Sequence, residues 1–298
     1  MTNCFFEYLK EQDVECLGNF NTKDSSSIGI GCIAAAAVFP KDTVELVNTI
    51  EYAIDNNIPY KIIGRMTNIL ATGSFFDGAL IFTRLLDSLV IDGTSVNAEC
   101  GIATSRLLTL AARVNLGGGE ALFGIPGSLG GMIFSNAGAF GMEISDVIST
   151  VTVYDPVQRR SYPLDKGEMD FSYRHSKLSD TNLILLSARL EFTPCDKVVI
   201  RDNFREYIKR RRASQPSSDP SLGSIFKRHS DVPISYLIDK AGLKGVRIGG
   251  AEISNKHAGF IVNRGNATAN DVLALITLIK NTLHDKYGIR AEEEIEYL

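Results

Sequence analysis

Residues 124–141 read GIPGSLGGMIFSNAGAFG, and this stretch decides how the chain folds. It belongs to an uncharged run, Ala121 to Met142, that is long enough to cross a bilayer. The six glycines and the proline within it argue against a stable membrane helix. Because glycine lets backbone N–H groups approach a phosphate or a flavin closely, we interpret the stretch as backbone packed against a ligand. A tightly packed turn without a ligand is the alternative.

The rest of the composition is typical of a globular enzyme. A chain of 298 residues, 44% hydrophobic and 22% charged, predicts two domains, or one large one, with a sizeable core. The net charge of -4 argues against a broad surface for nucleic acid or for an anionic membrane. The expected partners are therefore small molecules, and a monomer is expected.

The cysteines point to a reducing compartment. Five of them are scattered along the chain without a C-x-x-C pair. This pattern predicts neither a disulfide framework nor a metal site, and no N-terminal targeting signal is visible. The sequence therefore predicts a cytoplasmic protein.

Apolar periodicity outlines the first half of the chain. We expect a buried strand within residues 28–39, then a helix that begins after Asp42 and buries Val44, Val47, Ile50 and Ile54. A short strand, residues 60–63, follows and leads directly into a glycine-containing loop. This strand-helix-strand-loop order is typical of a nucleotide-binding α/β or α+β fold.

The composition changes after Thr193-Pro194, which we interpret as a domain boundary. A basic helix is expected over residues 199–212, followed by a loop rich in Pro and Ser. The last long helix is predicted to begin at Thr268, with Asp271 completing a capping box. Its inner face should be formed by Val272, Leu275, Ile276, Ile279 and Leu283.

Four further segments carry residues suited to chemistry, and each has a plain alternative. Gly64-Arg-Met-Thr-Asn68 follows a strand and suits a pyrophosphate, or it is an ordinary turn. Arg174 can clamp a carboxylate, or it is a surface arginine. Ser224 places a hydroxyl beside Gly223 and two cations, or it is a loop serine. The terminal acidic run, residues 292–296, is otherwise a solvated tail.

In order and spacing, these segments resemble the UDP-N-acetylenolpyruvoylglucosamine reductases, also called UDP-N-acetylmuramate dehydrogenases, over nearly the whole chain. The strongest matches are GIPGS with GG and NAGAFG, then YRHS, then PSLGSIFKR at residues 220–228, and GAEISNKH at residues 250–257. The chain lacks room for the insertions of the larger subtype, so it resembles the shorter one.

The resemblance implies an α+β fold in which a vanillyl-alcohol-oxidase-like FAD-binding region precedes a smaller substrate-binding domain. The expected ranges are 1–195, in two subdomains of about 1–80 and 81–195, and 196–298. It also implies that NADPH reduces bound FAD and that the enolpyruvyl UDP-sugar then takes up the hydride. The product, UDP-N-acetylmuramate, is a peptidoglycan precursor.

The resemblance assigns residues to three groups. The FAD contacts are expected at Gly64, Thr67, Asn68, Gly124, Ile125, Pro126, Gly127, Ser128, Gly131, Asn136, Ala137 and Gly138. The substrate and its diphosphate are expected at Tyr173, Arg212, Gln215, Lys227 and Arg228. The catalytic residues are expected to be Ser224, Arg174 and Glu294.

The chemistry explains the catalytic residue types. Hydride addition to the terminal enolpyruvyl carbon leaves negative charge on the neighbouring carbon and the carboxylate. Arg174 would stabilise this charge with paired donors, and Glu294 can donate a hydrogen bond only in its protonated form. Ser224 would then deliver a proton to the carbon beside the carboxylate.

The sequence also departs from the family pattern. The early loop usually reads Gly-x-Gly-Ser-Asn, but here Met66 replaces the second glycine and Thr67 replaces the serine. If that position needs a positive φ, a non-glycine residue costs on the order of 1–2 kcal/mol. Three other departures are Leu222 for Ala, Gly259 for Asn and Ala291 for Leu.

Two alternatives to the reductase follow. One is another flavin oxidoreductase on the same fold that acts on a different small molecule. The other, prompted by Met66, is a UDP-sugar-binding protein that has lost its flavin and its activity. The visible absorption spectrum of the protein separates the second alternative from the reductase, and a substrate screen separates the first.

Overall fold

A computed structural model describes residues 2–230 and 232–298 of the chain. The helices are α1 (Thr2–Glu11), α2 (Thr43–Asp55), α3 (Thr104–Arg113), α4 (Leu129–Phe134), α5 (Lys177–Asp180), α6 (Lys197–Ser214), α7 (Ile234–Lys240) and α8 (Ala269–Tyr287). The strands are β1 (Glu15–Asn21), β2 (Ile33–Phe39), β3 (Tyr60–Ile63), β4 (Ile69–Leu70), β5 (Phe75–Phe82), β6 (Leu89–Asp92), β7 (Ser95–Glu99), β8 (Leu116–Gly117), β9 (Gly138–Ala139), β10 (Met142–Glu143), β11 (Ile148–Asp155), β12 (Arg160–Asp165), β13 (Ile184–Glu191), β14 (Thr193–Pro194), β15 (Ser221–Ser224), β16 (Arg247–Ile248), β17 (Ala251–Ile253), β18 (Phe260–Asn263) and β19 (Glu296–Tyr297).

The chain forms two compact units, each assembled from three segments. Unit 1 comprises the chain up to Phe20, Ala34–Arg65 and Asp77–Lys209. Unit 2 comprises Asn21–Ile33, Met66–Phe76 and Arg210–Leu298. The two early segments of unit 2 are not in the C-terminal range that the sequence predicts. They lie there because Ile28, Ile30 and Leu70 are buried in the same core as the C-terminal helices, a pairing over long sequence distance that local patterns do not contain.

Two sheets organise unit 1. Strands β12, β11, β13, β7 and β6 lie side by side in that order, and every neighbouring pair is antiparallel. A second sheet has the order β1-β2-β5-β3, in which β3 and β5 run parallel. The predicted strand at residues 60–63 is confirmed. Each sheet buries an apolar face, so unit 1 has a core of its own.

Helix α2 shows where periodicity is an incomplete guide. It begins after Asp42, whose carboxylate accepts hydrogen bonds from the N–H groups of Val44 and Glu45, as the capping pattern predicts. The predicted inner face is wrong at Val44, which is 64% exposed, while Thr49 and Ala53 are fully buried. Small residues such as these can face a core closely, a choice that apolar spacing does not register.

The predicted strand over residues 28–39 is shorter than expected, because β2 begins only at Ile33. Gly29 adopts a left-handed φ of 69°, which ends extended structure, and a Cβ on Gly31 would lie 2.3 Å from the Lys23 nitrogen. A turn closed by the hydrogen bond from the Gly29 N–H to the Ser26 carbonyl therefore precedes irregular residues 30–32, and the strand starts only after them.

Unit 2 is built on the antiparallel sheet β15-β18-β17-β16 and on helix α8. Thr268 and Asp271 form the predicted capping box at the start of α8. All five residues of its predicted inner face are buried: Val272, Leu275, Ile276, Ile279 and Leu283. The parallel pair β4–β19 joins the segment after Met66 to the end of the chain. This pairing brings the early loop close to the C-terminal acidic run.

Candidate active site

The glycine-rich stretch folds as a sequence of turns around the short helix α4, all in unit 1. Gly124 and Gly127 have left-handed φ values of 85° and 138°, which only glycine adopts without strain. Ser128 then caps α4, its Oγ accepting a hydrogen bond from the Gly131 N–H at 3.3 Å. The stretch is therefore no membrane helix, and among the described residues no helix is long and apolar enough to span a bilayer.

Gly64 lies against this capped turn. A Cβ atom on Gly64 would come within 2.5 Å of the Ser128 Oγ, so no larger residue fits without a shift. The fold thus brings together two segments that the sequence assigns to FAD, residues 64 and 124–128. Backbone N–H groups that no side chain covers can bind the pyrophosphate of a dinucleotide, so these residues fit FAD, the cofactor that the resemblance implies.

Asn136 belongs to the same stretch but has a different task. Its side chain is fully buried, and its amide nitrogen donates to the Glu143 carboxylate at 2.8 Å and to the Ser172 carbonyl at 3.0 Å. Its amide oxygen accepts from the Ser145 N–H at 3.2 Å. These bonds join the glycine-rich stretch to the turn that carries Arg174.

Arg174 lies at the tip of that turn. Ser172 and His175 exchange backbone hydrogen bonds, and Arg174 between them has a left-handed φ of 54°. A non-glycine residue in this conformation costs about 1–3 kcal/mol, and such strain is concentrated at functional sites. The guanidinium lies 4.9 Å from the centre of the Tyr173 ring and donates to the Gly138 carbonyl at 3.3 Å. The turn therefore places the Arg174 guanidinium against the Tyr173 ring and the Gly138 carbonyl.

His175 adds a pH-dependent contact to the turn. Its Nε2 lies 2.7 Å from the Asp180 carboxylate, and its Nδ1 lies 3.0 Å from the Asp170 carbonyl. Because both neighbours are acceptors, the doubly protonated ring satisfies both contacts. The Asp180 carboxylate and the Asp170 carbonyl accordingly raise the pKa of His175 above its ordinary value.

We expect His175→Gln to destabilise the protein only at low pH. Because the folded-state pKa of His175 is raised, its stabilisation is fully present below the ordinary pKa and is lost as the pH rises through the folded pKa. The ion pair is partly exposed, so the difference in unfolding free energy should not exceed about 1 kcal/mol.

Thermal unfolding at about pH 5.5 and about pH 8.5 measures this difference, since histidine titrates between them. The exposed His284, replaced by Gln, provides a matched control. A loss of stability in His175→Gln that is equal at the two pH values would contradict the ionised form.

Ser224 ends strand β15 in unit 2. Gly223 precedes it with a left-handed φ of 81°, and the pairing of β15 with β18 shifts register between Ser221 and Ser224. The Ser224 hydroxyl is half-buried and donates to the Phe226 carbonyl at 3.2 Å. Leu222, which replaces the family's usual alanine, is buried beside it and belongs to the core of unit 2. A packed strand end thus holds a partly accessible hydroxyl.

Glu294 lies on the chain segment next to Ser224. Its N–H donates to the carbonyl of Ile225, the residue after Ser224, at 2.8 Å. Its own carbonyl accepts from the side-chain nitrogen of Asn68 at 2.9 Å. Unit 2 therefore brings two of the three predicted catalytic residues, Ser224 and Glu294, onto adjacent backbone.

The acidic run is not a solvated tail along its whole length. Glu293 pairs with Lys280 at 2.8 Å and accepts a hydrogen bond from the Tyr297 hydroxyl. Burial raises the pKa of Glu293, but the hydrogen bonds from Lys280 and Tyr297 outweigh it and hold that pKa below its usual range. We did not predict this network, which anchors the segment that carries Glu294 to helix α8 through Lys280.

Met66 has the backbone conformation that the family's glycine would suit. Its φ is 48°, so the strain expected for a non-glycine residue is present. The side chain is buried, with 1% of its surface exposed, and the Met66 carbonyl accepts a hydrogen bond from the Ser27 N–H at 3.2 Å. Met66, Thr67 and Asn68 belong to unit 2, whereas Gly64 belongs to unit 1.

The predicted substrate residues have unequal surroundings. Gln215 and Lys227 are half-buried, while Arg212 and Arg228 are exposed. Arg211 is half-buried and donates to the Gln215 side chain at 3.0 Å, and burial lowers its pKa. We did not predict a role for Arg211, although its spacing of four residues from Gln215, which directly follows helix α6, could have indicated the pairing.

Two family models match the chain. The one described as UDP-N-acetylenolpyruvoylglucosamine reductase, C-terminal domain, matches residues 215–298, and the one described as FAD binding domain matches residues 34–157. The second match contains Gly64, the turn of Gly124–Ser128 and Asn136.

Curated relatives extend the match to the whole chain. UDP-N-acetylenolpyruvoylglucosamine reductase of Caldicellulosiruptor bescii is 41% identical over 300 residues, covering 99% of this chain and 94% of the relative. The enzyme of that name from Lactobacillus acidophilus is 37% identical over 291 residues, covering 97% of each chain.

Solved structures agree with the relatives. UDP-N-acetylenolpyruvylglucosamine reductase from Thermus caldophilus superimposes with a TM-score of 0.81 at 29% identity, covering 95% of this chain and 98% of that one. A solvent-stable cholesterol oxidase, at 19% identity and a TM-score of 0.51, covers 61% of this chain and 38% of the oxidase, which shows a shared fold alone. These likenesses confirm the predicted α+β fold with a vanillyl-alcohol-oxidase-like FAD-binding region. At 298 residues, the chain is a short member of the UDP-N-acetylenolpyruvoylglucosamine reductase family.

Proposed function

We propose that this protein reduces UDP-N-acetylglucosamine enolpyruvate to UDP-N-acetylmuramate, a step in peptidoglycan precursor synthesis. NADPH is the electron donor, and FAD is the cofactor that the protein would hold. Full-length relatives that carry the reductase name support the activity. The observation that carries the proposal in this chain is the hydrogen bond between Glu294 and Ile225, which places Glu294 beside Ser224.

The purified protein should be yellow, and it should oxidise NADPH only when the enolpyruvyl UDP-sugar is present. Absorbance of the flavin and the loss of NADPH absorbance measure the two properties. A colourless protein that cannot be reconstituted with FAD would overturn the proposal. Turnover on another small molecule, with none on the UDP-sugar, would overturn the substrate assignment.

We propose that FAD is held by the turns at Gly64 and Gly124–Ser128, with Gly131, Ala137 and Gly138 nearby. The absence of side chains at the glycines leaves backbone N–H groups open to the pyrophosphate. Thr67 and Asn68 complete the assigned set from unit 2. When bound, the flavin supplies a hydride to the terminal enolpyruvyl carbon.

Ser224 is proposed to protonate the substrate. Hydride addition leaves an electron pair on the carbon beside the carboxylate, and the Ser224 Oγ–H bond breaks as a new C–H bond forms there. The serine alkoxide then regains a proton from water. A neutral serine is a weak acid, but the carbanion is a stronger base, so the transfer runs downhill.

Arg174 and Glu294 are proposed to stabilise the carboxylate as charge develops on it. The guanidinium already donates to the Gly138 carbonyl and lies over the Tyr173 ring, which restricts its orientation before it binds the carboxylate. Glu294 donates a hydrogen bond to the same group in its protonated form. These roles follow from the family pattern and the residue chemistry.

We assign the diphosphate to Arg211 together with Gln215, Lys227 and the surface cations Arg212 and Arg228, with Tyr173 at the substrate. Arg211→Ala should raise the KM for the UDP-sugar about 10- to 100-fold, since a hydrogen bond to a charged group is worth about 1.5–3 kcal/mol. The exposed Arg212, replaced by Ala, loses the same charge and should change KM much less.

Steady-state kinetics with varied UDP-sugar at saturating NADPH compares the two variants. A larger rise in KM for Arg212→Ala than for Arg211→Ala would return the assignment to the residue that the sequence analysis chose.

We also propose a monomeric, cytoplasmic protein without nucleic-acid partners, supported by the net charge of -4 and the unpaired pattern of its cysteines. Size-exclusion chromatography with light scattering measures the oligomeric state.

A further inference from the structure

Asn68 stands out because its side chain bonds to the backbone of a proposed catalytic residue. The Asn68 Nδ2 donates to the Glu294 carbonyl at 2.9 Å, across 226 residues of sequence. The Asn68 carbonyl accepts from the Glu296 N–H at 2.8 Å, and Ile69 pairs with Glu296 in the parallel ladder β4–β19. The side-chain nitrogen and the backbone carbonyl of Asn68 are thus both bonded to the segment that carries Glu294.

The Glu294 residue is held from two sides. Its N–H is bonded to Ile225, directly after Ser224, and its carbonyl is bonded to Asn68. Removing the Asn68 amide leaves the first bond but frees the carbonyl side. Because the backbone direction of Glu294 sets the direction of its Cα–Cβ bond, this hydrogen bond limits the positions that its carboxyl group can reach.

The same loop is also linked to the strand of Ser224, through Ser27. The Met66 carbonyl accepts from the Ser27 N–H at 3.2 Å. The Ser27 hydroxyl donates to the Ser221 carbonyl at 2.6 Å, and the Ser221 N–H donates to the Ser27 carbonyl at 3.1 Å. The loop of Met66–Asn68 therefore contacts the segment of Glu294 directly and is linked to the strand of Ser224 through Ser27.

We propose that Asn68 is a positioning residue, which holds Glu294 in register with Ser224 through its hydrogen bond to the Glu294 carbonyl. This inference rests on the proposed function. Asn68 would then have a role beyond contact with the cofactor, because the loop that follows β3 would orient Glu294 relative to Ser224.

Two substitutions test the inference. Asn68→Ala removes the donor, and Asn68→Asp places a second oxygen against the Glu294 carbonyl with nearly the same shape. Thr72→Val is the matched control, because the exposed Thr72 hydroxyl also bonds across to the C-terminal segment, to the Leu298 carbonyl at 3.1 Å. The backbone hydrogen bond between the Thr72 N–H and the Leu298 carbonyl remains in that control.

The two half-reactions separate positioning from cofactor binding. Asn68→Ala, reconstituted to full flavin occupancy, is compared with the wild type in its reduction by NADPH and in its reoxidation, and reoxidation should be the more affected step. Its reoxidation by the enolpyruvyl UDP-sugar should slow about 10- to 100-fold, the size expected for a misplaced reacting group. Thr72→Val should match the wild type in both steps. Equal slowing of the two half-reactions in Asn68→Ala would overturn the inference, as would unchanged reoxidation.

Asn68→Asp gives a signature that general loss of structure would not. Once protonated, the introduced carboxyl group regains a donor for the Glu294 carbonyl. The ratio of variant to wild-type reoxidation rates should therefore rise several-fold as the pH falls from about 8 to about 5, towards the ordinary aspartic acid pKa of about 3.9. A ratio that is constant with pH would contradict the hydrogen bond.

Amide hydrogen exchange provides a readout that needs no turnover. Residues 293–296 should exchange faster in Asn68→Ala than in the wild type, since this part of the segment has lost its cross-link at Glu294, whereas the bond lost in Thr72→Val lies at Leu298. Equal exchange in all three proteins would overturn the inference. If the wild type itself fails to oxidise with the UDP-sugar, the proposed function fails, and the exchange result still decides whether Asn68 holds the segment.

Discussion

Ser224→Ala should accept electrons from NADPH at the wild-type rate and lose the reaction with the enolpyruvyl UDP-sugar by about 10²- to 10⁴-fold, the usual contribution of a positioned proton donor. The alanine removes the Oγ and its bond to the Phe226 carbonyl but leaves the buried neighbours Leu222 and Ile225 in place. The fold should therefore survive, and the defect should lie in protonation of the substrate.

Rapid-mixing absorbance of the flavin measures both half-reactions in the same protein. Ser218→Ala is the control, because Ser218 is an exposed serine on the loop that precedes β15. If Ser224→Ala is reoxidised as fast as the control, another group supplies the proton and the assignment of Ser224 is wrong.

Arg174→Ala should lower the rate of reoxidation by about 10²- to 10³-fold, comparable to the removal of a donor that stabilises a developing anion. Arg174→Lys keeps the positive charge but loses the planar pair of donors, so it should recover only part of the rate. The turn itself is held by the bonds of Asn136 and of Ser172 with His175, which neither substitution removes.

The control for charge is Arg160→Ala, since Arg160 is an exposed arginine of unit 1 that also lies over a tyrosine ring, that of Tyr162. Reoxidation kinetics and the KM for the UDP-sugar distinguish a lost binding contact from lost stabilisation of the transition state. A rise in KM with unchanged reoxidation at saturating substrate would reduce Arg174 to a binding residue.

The sequence determined the elements whose signals are local. Helix α8 has the predicted cap and the predicted inner face, because a capping box and a 3.6-residue repeat act within a few turns. The composition of the glycine-rich stretch indicates backbone close to a ligand. Gly124 and Gly127 accordingly have positive φ values, which leave the backbone without side-chain cover. The family, the FAD-binding fold and the activity followed from the order of short motifs along the chain.

Tertiary structure decided the partners of each side chain. Asn68 and Asn136 appear in the sequence as equivalent amides in cofactor motifs, but one bonds to the Glu294 backbone and the other to the turn of Arg174. Arg211 and Arg212 are adjacent cations, and only burial and the bond to Gln215 distinguish them. These partners come from segments far apart in sequence. Packing within each of the two cores brings such segments together, and it leaves no periodic signal in either segment.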